Sequence, residues 1–289
     1  MSLAPVSVVV VHYNKLPYSR LCLESLLASD PRPAQIVCID NGSTDGTVEY
    51  LKTDFARQAQ GAGVAYELIA NATNVGACTA RNQGLERVQQ PLIAFCDNDV
   101  AVRSRNWLAI LRTRLEAEDR NGIVGPKLVY PFEPYRIECA GAAISPTGRV
   151  QYRGRGRDRL DPAFCVPCEV QCLISACWLM KREIPDTLGG LDEAFNPAQF
   201  EDFDLCYRAR EAGWKVLYEP AAEMYHFENT TTSGSADVKF RYITIRNGLE
   251  FKKRWHHMFS RENGPPDEEC RWEQLETRPI EQTGVPPLI

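Results

Sequence analysis

The sequence predicts an α/β fold with a mostly parallel central sheet and helices on both of its faces. Three observations predict it. Through roughly the first 120 residues, short apolar runs alternate with stretches whose apolar residues recur at helical spacing. Each of these apolar runs ends abruptly in a polar loop, as buried parallel strands do at their carboxyl ends. After Gly122 the alternation gives way to strands separated by longer loops, which predicts a second half of mixed strands.

The elements follow in order. Residues 6–11 are dense in valine and form the first strand, which stops at His12-Tyr13-Asn14-Lys15. A helix over 18–28 is closed by Asp30-Pro31-Arg32-Pro33. The second strand, 35–39, stops at Asp40-Asn41-Gly42, and a helix runs from about 47 to 56. The third strand is 64–69, followed by a polar loop at 71–76 and a helix over 77–88. The apolar run 92–96 is the fourth strand, ending in Asp97-Asn98-Asp99, with a helix over 107–118 after it. In the second half, strands are expected over 123–130, 137–145 and 168–180, with a turn at Pro146-Thr147-Gly148. The basic segment 149–159 reads as solvated surface, with a lid or anion contact as its other reading. A helix over 202–212 is capped by Gly213, and a strand over 214–218 is ended by Pro220. The polar run 229–235 precedes a last helix over 237–259. Its stretch Phe251-Lys252-Lys253-Arg254-Trp255 either packs aromatics on the domain or touches a membrane surface, and packing is the preferred reading. From Arg261 the chain is rich in Pro and Glu and reads as a loosely ordered tail.

Composition narrows the function classes. With 44% hydrophobic and 25% charged residues the chain is an ordinary globular one, and a net charge of −5 offers no overall attraction to nucleic acid or anionic membrane. No apolar run approaches a membrane span, and residues 8–11 are too short for a signal-peptide core, so a cytoplasmic location is the default expectation. Of the eleven cysteines, Cys22, Cys38, Cys78, Cys96 and Cys206 sit among apolar residues as small buried hydrophobes. Cys165, Cys168, Cys172 and Cys177 allow a zinc site, a disulfide or plain packing, with packing preferred.

Four strand-end loops carry polar residues: His12-Tyr13-Asn14, Asp40-Asn41, 71–76 and Asp97-Asn98-Asp99. A parallel sheet gathers them on one edge, where open α/β sheets bind ligands. Two carboxylates one residue apart, Asp97 and Asp99, suit a hard divalent cation such as Mg²⁺ or Mn²⁺, although Asp97-Asn98 also reads as a turn or helix cap. Asp40 after the second strand suits a ribose or base contact. No G-x-G-x-x-G follows the first strand and no G-K-[ST] occurs, so the dinucleotide and P-loop cradles are missing.

With these motifs in series, the chain resembles the family 2 glycosyltransferases of GT-A fold. The resemblance is carried by Val9-Val10-Val11-His12-Tyr13-Asn14-Lys15, by 37–47 around Asp40-Asn41-Gly42-Ser43, and by Asn71-Ala72-Thr73-Asn74-Val75-Gly76. It continues through Ala80-Arg81-Asn82-Gln83-Gly84, Phe95-Cys96-Asp97-Asn98-Asp99, Glu201-Asp202-Phe203-Asp204-Leu205 and Arg246-Asn247, and covers roughly residues 5 to 255. It implies one GT-A domain over 1–260, with a nucleotide-sugar half at 5–120, an acceptor and catalytic half at 121–260, and a tail at 261–289. The loop at His12, Tyr13 and Asn14, with Asp40 and Asn41, would bind base and ribose. Asn74, Gly76 and Arg81 would line the nucleotide site, Arg81 beside donor phosphate or Asp97, while Asp97 and Asn98 face the donor. Asp99 would ligate the metal, Mn²⁺ or Mg²⁺, and His226 resembles the later histidine that completes its binding. Asp202 matches the catalytic base, with Glu201 holding or tuning it. The sequence departs from the family at Cys96 and at His12. The implied donors are UDP-, GDP- or dTDP-sugars. The acceptor is a saccharide, a lipid-linked group, a peptide or a small molecule, with no nucleic acid and at most a peripheral membrane contact.

The chemistry is coherent on its own terms. A metal at Asp99 would stabilise the departing diphosphate, and a carboxylate would take the acceptor's proton in a direct displacement that inverts the anomeric centre. A helix N-terminus opposes that role by stabilising the ionised, weakly basic carboxylate. A sugar-nucleotide nucleotidyltransferase would want a glycine-rich basic first loop, which residues 11–15 are not, and a methyltransferase would want a glycine-rich one without metal. A non-catalytic nucleotide-sugar-binding protein would have no need of intact Asp99, Asp202 and His226.

Overall fold

The computed structural model describes residues 2–228 and 240–289. The polar run expected over 229–235, and the expected start of the last helix at 237, lie outside the described residues.

Strand β1 (Leu3–His12) enters the centre of the sheet and leads to helix α1 (Leu16–Leu27). β2 (Arg32–Asp40) is followed by a helix in three pieces, α2 (Thr47–Tyr50), a wide turn over Leu51–Phe55 and α3 (Ala56–Ala62). β3 (Ala65–Ala70), α4 (Ala77–Leu85) and β4 (Leu92–Asp97) complete the first half, and β5 (Val100–Val102) and α5 (Trp107–Glu116) close it. β1 lies between β2 and β4, parallel to both, with β3 outside β2. The expected alternation is therefore present, with ends displaced by a few residues where caps and fraying decide them. In the parallel register His12 pairs with Asp40 and Val11 with Asp97, so three polar strand ends stand in one row.

The valine-rich run is buried on both sides: Val6, Val8, Val9 and Val10 are at most 1% exposed. Helix α4 approaches this sheet closely because Gly84 has no side chain; a Cβ there would lie 2.5 Å from Val9 Cγ1 and 2.8 Å from Ile39 Cδ1. That contact sets the position of Arg81, one turn earlier.

The second half is mixed, as expected. β6 (Asn121–Val129) is flanked by β7 (Ile137–Cys139), and β8 (Ala142–Ile144) pairs with β9 (Val150–Tyr152). The single strand expected over 137–145 is broken at Gly141, whose φ of +84° turns the chain. The run 168–180 is likewise two strands, β10 (Cys168–Glu169) at one edge and β11 (Cys177–Lys181) wedged antiparallel between β4 and β6. Its residues are buried throughout 170–180, so hydrophobicity alone carries no sign of the break. After α6 (Glu183–Leu188) and α7 (Glu201–Glu211), β12 (Lys215–His226) runs parallel to β6. Pro220 does not end this strand. It sits where the register jumps from Glu219–Pro126 to Glu223–Lys127, a bulge with no ladder bond for proline to forfeit. The continuation brings His226 opposite Val100 of β5.

Two further expectations are corrected. The basic segment 149–159 is not all solvated: Arg155 is buried and pairs with Glu228 at 2.9 Å. The segment 261–289 has little regular structure beyond α9 (Ile280–Thr283), but it packs on the domain. Glu262 is buried against Arg210 at 2.7 Å, and the Ile289 N–H donates to the Arg103 carbonyl at 2.7 Å. Composition argued for looseness; individual ion pairs and backbone bonds override it. Phe251, Trp255 and Phe259 of α8 (Phe240–Phe259) pack with Tyr207, as the packing reading expects. All eleven cysteines are free thiols. Among the described residues no helix is long and apolar enough to cross a membrane.

The two glycines with opposite surroundings give opposite expectations. Gly84→Val should destabilise the protein by about 1–3 kcal/mol, because the new methyls meet Val9 and Ile39. Gly61→Ala, in α3 with nothing near its Cβ position, should stabilise it by about 0.5–1 kcal/mol. Urea unfolding of both variants checks the pair; a neutral Gly84→Val would contradict the close packing of α4.

Candidate active site

The loop after β1 turns through Asn14 and Lys15, at φ +56° and +65°, conformations that asparagine tolerates better than most residues. It is tied to the loop after β2: Thr44 N–H donates to Asn14 Oδ1 at 2.8 Å, and Asn14 N–H donates to Ser43 Oγ at 2.7 Å. Asp40 shapes its own loop, its Oδ1 accepting the N–H groups of Gly42 and Ser43. Asn41 reaches the third loop, donating to Asn74 Oδ1 at 2.8 Å and accepting from Val75 N–H at 3.0 Å. Gly76, at φ +89°, leaves room for Asn196, whose Oδ1 accepts the Cys78 N–H in the first turn of α4.

These loops and the second half enclose a cavity of about 570 Å³. Tyr13, Asn41, Asn74, Arg81, Asp97, Asn98 and Asp99 line it, as do Glu201, Asp202 and His226. His12, Asn14, Asp40 and Gly76 are not among the lining residues. His12 is fully buried, with Nδ1 3.0 Å from Ser19 Oγ, and burial pushes its pKa down to about 3, so the ring is neutral. Asn98 donates to the same Ser19 Oγ at 3.1 Å.

One group in the cavity fits a cation. The ligand atoms of Asp97, Asp99 and His226 lie within 4.8 Å of one another. Asp97 ends β4, Asp99 precedes β5, and His226 ends β12, so the β5–β12 pairing assembles the group. His226 Nε2 is 3.4 Å from Asp99 Oδ1, and its Nδ1 is 2.7 Å from Oε2 of the fully buried Glu138. A carboxylate behind the imidazole is the usual means of orienting a metal-binding histidine and leaving its other nitrogen for the ion. Burial opposes the imidazolium, but Glu138 and Asp99 outweigh it and hold the His226 pKa well above its ordinary value. A cation would thus take the place of a proton among two acids and a histidine, an O/N donor set suited to Mn²⁺ or Mg²⁺.

A second acidic group meets the first through Arg81. This buried guanidinium donates to Asp97 Oδ1 at 2.6 Å and to Glu201 Oε1 at 3.0 Å. Asp97 and Glu201 both have raised pKa values because burial outweighs the stabilisation that Arg81 supplies. Asp202, beside Glu201 at the start of α7, accepts N–H bonds from Ser175 and Phe203. Those bonds favour its ionised form, but withdrawal from water and the Glu201 charge push its pKa up to about 8. The opposition expected from the helix N-terminus is therefore overcome, and Asp202 has the proton affinity of a working base.

The chain is strained where it delivers this pair. Gln199 and Phe200 have φ of +83° and +72°, costly for non-glycine residues and sustained only by firm support. Asn247, buried on α8, supplies it by donating to the carbonyls of Phe195, Ala198 and Gln199 at 2.7–2.9 Å. Glu138, Asn196 and the cavity-lining Tyr152 and Trp272 were not singled out in the sequence. Glu138 had a signal, a lone acid inside the apolar run 137–145. Asn196 and Trp272 lie in irregular segments with none.

Comparison with known proteins gives the family and the fold. The family described as "Glycosyl transferase family 2" matches residues 7–189. An N-acetylglucosaminyl-diphospho-decaprenol L-rhamnosyltransferase of Mycobacterium tuberculosis is 27% identical over 250 residues, 78% of this chain and 76% of that protein. The protein y4gI of Sinorhizobium fredii is 28% identical over 86% of this chain, which spans only 27% of that longer protein. Among solved structures, GalNAc-T7 with UDP, GalNAc and Mn²⁺ superposes with a TM-score of 0.68 at 19% identity, over 88% of this chain and 49% of that one. At that identity the likeness shows the fold alone, and the fold is GT-A. The chain belongs to glycosyl transferase family 2.

Proposed function

We propose that this protein is a metal-dependent, inverting glycosyltransferase that moves a sugar from a nucleoside-diphosphate sugar to an acceptor hydroxyl. The observation that carries the reading is the joining, in one cavity, of a cation-type cluster through Arg81 to Glu201, the neighbour of Asp202, a carboxylate of raised proton affinity. Family membership and the named transferase activity of the mycobacterial relative support it. The UDP and Mn²⁺ named with GalNAc-T7 support the donor and metal class.

In this reading Tyr13, Asn41, Asn74 and Asn98 contact the donor, while His12, Asn14, Asp40 and Gly76 shape that wall from behind. Asp97, Asp99 and His226 hold Mn²⁺ or Mg²⁺, which when bound neutralises the charge of the departing diphosphate. Glu138 fixes the His226 ring. Arg81 keeps Asp97 aligned and fixes the carboxylate of Glu201. Asp202 accepts the proton of the attacking hydroxyl, and Glu201 raises its affinity for that proton. The donor is a UDP-, GDP- or dTDP-sugar and the acceptor a saccharide, a lipid-linked group, a peptide or a small molecule, met in the cytoplasm.

Asp202→Asn should cut transfer by about 10²–10⁴-fold while nucleotide binding persists. The same change should raise thermal stability near pH 8. The folded-state pKa of Asp202 lies above its ordinary value, so ionising it costs stability as pH rises toward about 8. Asparagine has no such cost, so the difference in Tm should shrink as pH falls. Near wild-type turnover would remove Asp202 from its role. In the wild type, transfer should rise with pH through about 8 as Asp202 ionises; a flat profile there would contradict the assignment. Glu138→Ala should weaken Mn²⁺ binding roughly 10–100-fold by calorimetry, without any substrate present. Unchanged affinity would remove Glu138 from its role of orienting His226 toward the metal.

A further inference from the structure

Helix α8 buries Phe251, Trp255 and Phe259, yet its outer face is not polar. Tyr242, Ile245 and Leu249 are 65%, 55% and 64% exposed. At 3.6 residues per turn these three fall on one stripe about two turns long. The same projection places exposed Arg241 and Lys252 along one margin of the stripe and exposed Lys253 along the other. The one acid of the helix, Glu250, lies away from the stripe and is paired with Arg254 at 3.0 Å. The arc is thus apolar in the middle, cationic at both margins and free of acids, in a chain whose net charge is −5. Isolated exposed leucines are ordinary, but an aligned apolar stripe between cations is not what a solvated helix face requires. Charge and shape together fit the interface of an anionic bilayer, where the apolar side chains enter the acyl boundary and the lysines meet headgroup phosphates.

We infer that the exposed face of α8 is a peripheral docking surface for anionic lipid bilayers, with Tyr242, Ile245 and Leu249 as apolar anchors and Arg241, Lys252 and Lys253 as headgroup contacts. Thr244, which lines the cavity, projects from the opposite side of the same helix, in line with Phe251 and Trp255, so the stripe faces away from the cavity. The surface shares Lys252 and Lys253 with the stretch that the sequence offers, but its apolar anchors are different, because Phe251 and Trp255 point into the core. It stands apart from the transfer chemistry, and its test needs neither nucleotide nor metal.

The test is co-sedimentation of the intact chain with vesicles of phosphatidylcholine alone and of an equal mixture of phosphatidylcholine and phosphatidylglycerol. The chain should sediment with the mixed vesicles, less so at high salt, and not with the neutral ones. Lys252→Glu should weaken binding by roughly fivefold or more, the contribution of one basic residue near an anionic surface. The double variant Ile245→Asp, Leu249→Asp should abolish it with an unchanged melting temperature, as both side chains are exposed. Absence of wild-type binding to anionic vesicles would overturn the inference, as would full binding by the double variant. A stripe-dependent dimer in light scattering, without vesicle binding, would assign the face to a second copy of the chain instead.

Discussion

A single buried guanidinium holds the site together. Arg81 stands on α4, drawn against the sheet by the missing side chain of Gly84, and bonds both to Asp97 at the end of β4 and to Glu201 at the start of α7. Each partner belongs to a different half of the fold, so this residue fixes the distance between the cation-type cluster and the Glu201-Asp202 pair. Leaving the buried Glu201 unpaired would typically cost about 3–5 kcal/mol. The arrangement is stable only with all its members, and it draws two acids close together that would otherwise repel. The repulsion that remains is useful, because the Glu201 charge is one of the causes that lift the proton affinity of Asp202.

The supports around Arg81 follow the same logic. The strained Gln199 and Phe200 bring Glu201 into place, and Asn247 holds that strain from α8 by three carbonyls. Asn196 links the same loop to the first turn of α4. Glu138 locks His226 from the far side of the cluster. Each of these groups acts on another side chain or on the backbone. A site in which first contacts are positioned this firmly pays its reorganisation during folding, before any substrate arrives.

Much of the first half was legible in the sequence because local signals and tertiary structure agree there. Short apolar runs form β1, β2 and β4, and a parallel register brings Asp40 and Asp97 to one edge. The D-x-D stretch, ambiguous alone, gained its meaning from that convergence. In the second half the local signals mislead. Pro220 marks a strand end by rule, yet it occupies a bulge through which β12 continues to His226. The uniformly buried 170–180 run conceals a break, and Pro/Glu-rich composition conceals how firmly 261–289 is anchored. The motif points to Asp202, but its raised proton affinity comes from burial and Glu201, neither visible in a linear pattern.

The proposed reaction is a single displacement across a cavity suited to a cation and a base. The most direct measurement is the anomeric configuration of the sugar set free when the protein slowly hydrolyses a nucleotide-sugar, followed by proton NMR before mutarotation. A panel of UDP-, GDP- and dTDP-sugars with Mn²⁺ would supply the donor. The account predicts that α-linked donors release the β-anomer first, and only when the cation is present. First release of the α-anomer, or consumption indifferent to the cation, would contradict it.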